Sequence, residues 1–141
     1  EIANHGLTHC VVKDNLFRPK LFSSNRAYHR EFWRWLGKDL HFNHIKKSQN
    51  ILQEFYGIEV KTLIPPGNVY CDFTIDAAKK YGIQYINCQT LDDKKNSINI
   101  ISNNNVFAFH DKEIVEEGID WFENILKKYQ SYQHLFVREL S

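Results

Sequence analysis

The sequence predicts an α/β fold built on a parallel sheet, and the order of three segments is the main reason. An apolar run at 60–64 is followed by an amphipathic segment at 72–81 and by a second apolar run at 83–88. This order and length are typical of a β-α-β crossover, which joins parallel strands. Elsewhere, short apolar runs alternate with segments whose apolar residues recur every three to four positions, several of them ending at glycine.

The same two periodicities predict the other elements. In chain order, we expect a short strand at 1–4, a loop at 10–23, helices at 25–36 and 40–56, strands at 98–101 and 106–109, a helix at 114–128 and a closing strand at 134–137. Ser24 can cap the first helix, Gly37 can stop it, and Gly57 can end the second.

Length and charge restrict the class of protein. The 141 residues fit one domain, 1–141, and the net charge of +1 argues against a nucleic-acid partner. No apolar stretch reaches the roughly 18–20 residues that a membrane span needs. Three widely spaced Cys predict buried thiols and no disulfide framework. Because the chain has no Met and begins at Glu1, we expect a piece of a longer protein. Cytoplasm and cell envelope both stay open as locations.

The first candidate site is a pair of histidines four residues apart. His5 and His9 follow the strand at 1–4 in a polar loop, where α/β folds place their sites. This spacing brings two imidazoles to one side of a helical turn or a similar loop, and imidazole is a common zinc ligand. The alternative is a chance pair in a surface loop, since no Glu follows His5 as in the zinc-protease motif.

The second candidate site is at the end of the strand predicted at 106–109. His110 follows that strand, where an imidazole can act as an acid or a base at the active edge of a parallel sheet. Asp111 is better explained as the N-cap of the next helix. Surface or packing roles are expected for the remaining histidines, which are His29, His41, His44 and His134.

The third candidate is the turn after the strand at 60–64. Pro65, Pro66, Gly67 and Asn68 predict a rigid turn that exposes backbone groups. Such a turn can border a substrate groove or donate to an oxyanion, and a simple turn is the alternative.

Taken in order, these segments resemble the polysaccharide deacetylase family, the NodB-homology domains of carbohydrate esterase family 4. Residues 1–9, E-I-A-N-H-G-L-T-H, are similar to the family pattern E-[IL]-[AG]-x-H-[ST]-x-x-H, with Gly6 where Ser or Thr is usual. Residues 63–68, L-I-P-P-G-N, with the following helix and G-I, are similar to F-R-P-P-x-G, helix and G-[IV]. Residues 107–111, F-A-F-H-D, are similar to the end of a family strand, L-L-x-H-D. Residues 135–140 are similar to the family's closing strand.

The resemblance implies a distorted (β/α) barrel, incomplete at its N-terminus, and a hydrolase that removes acetyl groups from N-acetylated sugars. It implies a divalent metal, with zinc as the usual ion, and a carbohydrate substrate. By position, His5 and His9 become metal ligands, and His110 becomes the general acid that protonates the departing amine. Pro66, Gly67 and Asn68 become the substrate-binding turn.

Two departures from the family pattern leave alternatives open. The family's aspartate pair, which supplies the base and a third ligand, would lie upstream of Glu1, and Ile64 replaces the Arg of the proline motif. One alternative is a non-catalytic carbohydrate-binding or structural module on the same scaffold. Another is an unrelated metal hydrolase that uses a carboxylate such as Asp14. A barrel without its first strands exposes edges, so we expect the chain alone to be incomplete, partnered or inactive, and its partner to be a second copy or the missing N-terminal segment.

Overall fold

The structure, a computed structural model, describes residues 1–9, 30–88, 98–102 and 111–140. Several residues and elements discussed above lie outside these ranges: the loop at 10–23, the strand at 106–109, Cys10, Asp14, Ser24, His29 and His110.

Short strands alternate with helices along the described residues. In chain order, the elements are β1 (Ala3–Asn4), α1 (Lys38–Tyr56), β2 (Thr62–Leu63), α2 (Asp72–Lys80), β3 (Tyr85–Cys88), β4 (Asn99–Ser102), α3 (Asp111–Glu117) and α4 (Ile119–Tyr129). Short 3₁₀ turns lie at Arg34–Leu36, Pro66–Asn68 and Val137–Glu139. No helix in these parts of the chain is long and apolar enough to cross a bilayer.

The strands form one parallel sheet in the order β1-β2-β3-β4. The crossover expected between 60 and 88 is present as β2, α2 and β3. Asn4 of β1 lies opposite Leu63 of β2. Since these strands are parallel, the loops that follow them leave the sheet at the same edge. This edge carries His5 and the proline turn, whereas the barrel implied by the resemblance stays a prediction.

An apolar core lies between the sheet and the two helices α1 and α2. Its members come from the strands and the residues just before them, from both helices and from the segment before α1. All are nearly or fully buried: Phe32, Ile45, Leu63, Ile75, Ala77, Ala78, Ile83, Ile86, Cys88 and Ile98. Helix α1 ends where the sequence predicts, at Gly57, whose left-handed backbone (φ 65°) lets its N–H donate to the Gln53 carbonyl.

The helix predicted at 25–36 is wrong over its described part. Only a 3₁₀ turn forms there, at Arg34–Leu36, and Trp33 before it has an extended backbone (φ −72°, ψ 136°). Phe32 is buried in the core, and Glu31 is buried against the loop after β1. These tertiary contacts outweigh the aromatic spacing that favoured a helix.

Two predictions near the C-terminus are also wrong. The helix at 114–128 is two helices, because Gly118 adopts φ 84° and ψ 166° between α3 and α4. No strand forms at 134–137, where the backbone leads into a 3₁₀ turn. The Glu139 carboxylate accepts the Phe136 N–H at 2.7 Å, and this local cap uses a donor that a strand would need.

A buried histidine links α1 to α2 through polar contacts. The His41 Nε2–H donates to the Trp33 carbonyl at 3.2 Å, and its Nδ1 accepts from the Thr74 hydroxyl at 2.9 Å, so the neutral ring is satisfied. Burial lowers the pKa of His41, against smaller opposing effects of the Trp33 carbonyl and Glu31. His41 therefore has the packing role that the sequence predicts for it.

The buried state of His41 predicts that the protein loses stability as the pH falls below about 6.5. The unfolded chain binds a proton near that pH, whereas folded His41 binds it only at lower pH. One such proton lowers the free energy of unfolding by up to about 1.4 kcal/mol per pH unit. We expect urea unfolding at pH 7.5 and 5.5 to show this loss in the native protein and a smaller loss in His41→Gln. Equal losses in the two proteins would contradict the assignment.

Candidate functional site

The two histidines of the first candidate site lie side by side in the loop after β1. Their ring centres are 5.1 Å apart, in an edge-to-face arrangement. The His5 Nδ1–H donates to the carbonyl of Ile64, just after β2, at 2.6 Å. This contact fixes the tautomer, so that Nε2 of His5 carries the lone pair. Metal-binding histidines in proteins commonly use such a carbonyl contact on their second nitrogen.

A carboxylate from the segment before α1 holds the backbone of this loop. Glu31 accepts from the N–H of Leu7 at 2.9 Å, of Thr8 at 3.1 Å and of His9 at 2.9 Å. Its side chain is fully buried. Three successive N–H groups that converge on one anion form a nest, and the left-handed backbone of His9 (φ 59°) is typical of such a turn. The loop is therefore shaped around Glu31.

A histidine of α1 completes the surroundings of this carboxylate. His44 Nδ1 lies 2.6 Å from Glu31 Oε1, and the His44 side chain is mostly buried. Burial by itself would raise the pKa of Glu31. The hydrogen bonds from His44 and from the backbone of Leu7 and Thr8 outweigh this, and the pKa of Glu31 lies below its usual value. Glu31 is consequently ionised at neutral pH.

Gly6 lies directly against the Glu31 carboxylate. Its backbone is left-handed (φ 88°), and an added Cβ would collide with Glu31 Oε2 and crowd Pro66. The Gly6 N–H donates to the buried side chain of Asn4 at 2.8 Å. Only glycine therefore fits at this position, since any Cβ would meet the carboxylate oxygen.

Arg30 brings a positive charge to the second histidine and to the proline turn. Its Nη1 donates to His9 Nδ1 at 2.9 Å and lies 3.3 Å from Nε2. Along its length the side chain crosses Gly67, where an added Cβ would lie 2.6 Å from Arg30 Nε. The structure thus places a guanidinium beside the proline turn.

The predicted substrate-binding residues form the turn after β2. Pro66, Gly67 and Asn68 make a 3₁₀ turn in which the Asn68 N–H donates to the Pro65 carbonyl at 3.0 Å. Gly67 and Asn68 both have positive φ angles. The predicted turn is therefore present, and it borders His5 through the Ile64 carbonyl.

The spacing of the two imidazole rings is the observation that bears on metal binding. Two histidines on one tetrahedral zinc, each bound at about 2 Å, have ring centres about 5 Å apart, and His5 and His9 have that spacing. His5 presents Nε2, whereas His9 would have to exchange its contact with Arg30 for the ion. Among the residues that the structure describes, no group of three or more His, Cys, Asp or Glu side chains could hold a metal.

Sequence reasoning missed the three charged or titratable residues that surround the loop, which are Arg30, Glu31 and His44. The only sequence feature that could have pointed to a role for Glu31 is its position, as an acidic residue between an Arg and a run of aromatic residues. Of the other predicted site residues, His110 lies outside the described ranges. A cavity of about 660 Å³ opens at the opposite, amino edge of the sheet, beside Lys61 and Gln84, and does not belong to this site.

No protein-family model, curated protein or solved structure matches this chain.

The contact between Gly6 and Glu31 predicts that Gly6→Ala destabilises the protein more than Gly82→Ala. Both glycines have φ above 80°, but an added Cβ at Gly82 meets no atom within 4 Å. In either variant, we expect backbone strain to lower the free energy of unfolding by about 1–2 kcal/mol. Gly6→Ala should cost a further 1–3 kcal/mol or so, because the carboxylate must leave its donors. Urea unfolding measures both, and equal losses would show that the carboxylate does not fill this space.

Proposed function

We propose that this chain is a metal-dependent hydrolase of the polysaccharide deacetylase type, which removes an acetyl group from an N-acetylated sugar. The proposal is supported mainly by the pairing of His5 and His9 at the carboxyl edge of a parallel sheet, with Nε2 of His5 available to an ion. Further support comes from the resemblance described above, in which the histidine pair, the proline turn and His110 follow one another in the family's order. The parallel sheet would then be part of a distorted (β/α) barrel.

Each residue has a separate part in this proposal. His5 and His9 hold a divalent ion, with zinc as the expected one, and the Ile64 carbonyl keeps the His5 ring in position. A divalent ion bound there would supply a water of lowered pKa and polarise the acyl carbonyl. The turn at Pro66–Asn68 borders the sugar. His110 donates a proton to the departing amine, and the resemblance assigns the base and the third ligand to an aspartate pair upstream of Glu1.

A second candidate function is a carbohydrate-binding module without catalysis. The observation that favours it is the contact of Arg30 with His9, because a guanidinium that donates to Nδ1 uses the lone pair of that ring. In this case Arg30 and the two histidines would bind sugar hydroxyl or carboxylate groups directly. Metal binding distinguishes the two functions.

The first experiment compares zinc affinity in the native chain, His5→Ala and His9→Ala, measured by calorimetric titration with zinc alone. We expect each variant to bind zinc at least about tenfold more weakly, because a two-imidazole site loses half of these ligands. His134→Ala is the matched control, since His134 is exposed and remote from the pair in sequence. Equal affinity in all four proteins would contradict the ligand assignment and favour the module.

The second experiment tests the proposed acid. Measured in a chain extended upstream of Glu1 so that it includes the aspartate pair, His110→Ala should lower acetate release from N-acetylglucosamine oligomers by about 10²–10⁴-fold, the usual contribution of a positioned general acid. Zinc affinity should not change, because His110 is not a proposed ligand. An unchanged rate would remove His110 from the mechanism.

A further inference from the structure

The Glu31 carboxylate has contacts that a merely structural ion pair does not need. It is fully buried and already accepts from three backbone N–H groups and from His44. These four donors occupy the lone-pair positions of a carboxylate, so Glu31 has no free position for a metal or a proton of a substrate. Any effect of Glu31 on chemistry must therefore pass through the loop that it holds.

The His9 backbone connects Glu31 to the candidate ligands. His9 is left-handed (φ 59°), a conformation that is unfavourable for a residue with a Cβ. The bond from the His9 N–H to Glu31 Oε2, at 2.9 Å, ties this conformation to the carboxylate. Released from that bond, His9 would be free to return to an ordinary backbone conformation, which would carry its ring away from His5.

We infer that Glu31 is the positioning residue of the two-histidine site: its buried carboxylate sets the backbone from Leu7 to His9 so that the rings of His5 and His9 face one ion. His44 in turn orients Glu31 through their 2.6 Å contact. The inference rests on the proposed metal-binding function. It assigns a role in that function to two residues of which neither is a ligand.

The test uses Glu31→Gln, which keeps the size of the side chain and removes its charge and one acceptor. We expect zinc affinity to fall by about 10–100-fold, as is usual when a residue behind a ligand is changed. At saturating Co²⁺, the visible absorption spectrum should also change, because the two rings no longer share one geometry. A variant that is only less stable, and still folded at the assay temperature, would keep the native spectrum. Glu59→Gln is the control, as Glu59 is exposed and pairs with Lys61.

A second measurement does not depend on metal. Amide hydrogen exchange in the metal-free protein should show protected N–H groups at Leu7, Thr8 and His9, and protection should fall at least about tenfold in Glu31→Gln. If Glu31→Gln does not fold, His44→Leu takes its place, because it removes the side-chain donor and leaves the backbone donors. The same changes, smaller in size, are expected for it.

The outcomes separate this inference from the proposed function. Native protein that binds zinc, together with a folded Glu31→Gln that binds zinc equally and gives the same Co²⁺ spectrum, would overturn the inference and leave the function standing. Native protein that binds no zinc would overturn the function and, with it, the role of Glu31 toward an ion. The exchange data would then decide only whether Glu31 holds the loop, and unchanged protection at Thr8 and His9 would reject that as well.

Discussion

The contact between the Glu31 carboxylate and the backbone of the loop after β1 determines how this edge of the sheet is built. Burying a carboxylate costs several kcal/mol, which is offset only when charged or backbone donors surround it. Here the donors come from Leu7, Thr8 and His9 on one side and from His44 on the other. Each charge-assisted hydrogen bond contributes about 1.5–3 kcal/mol. Since no donor can leave without exposing the charge, the loop, the segment before α1 and α1 itself are held together at one point.

A second buried side chain fixes the start of the same loop. Asn4 donates to Ser48 at 2.8 Å and to Gln49 at 2.9 Å, both on α1, and accepts the N–H of Gly6. Gln49 in turn donates to the carbonyl of Val60, ahead of β2. The loop is thus attached to α1 through Asn4 at its beginning and through Glu31 over its remainder. In a buried network of this kind, loss of one member leaves its partners unsatisfied, so the backbone that carries the two imidazoles is held in place.

From the sequence it is easier to predict which segments meet at the site than to predict which buried side chains hold the loop in place. Parallel strands follow from periodicity and spacing, and they alone bring His5 to the proline turn. The contact itself uses the Ile64 carbonyl, which any residue at that position could supply, so the side chain there does not determine it. Glu31 lies 22 residues from His9 in the chain, and no local pattern joins them. Its neighbouring aromatic residues even predicted a helix, because the pattern records spacing and not the partner of a buried charge.

Arg30 places a physical condition on metal binding. A neutral imidazole has one lone pair, so His9 can accept from the guanidinium or bind an ion, but it cannot do both. The two cations would also repel each other across a short distance. Glu31 makes an exchange feasible, because it contacts the N–H of His9 and not the ring. For the proposed ion to bind His9, the Arg30 side chain must leave that ring, whereas the hydrogen bond from the His9 N–H to Glu31 can stay in place.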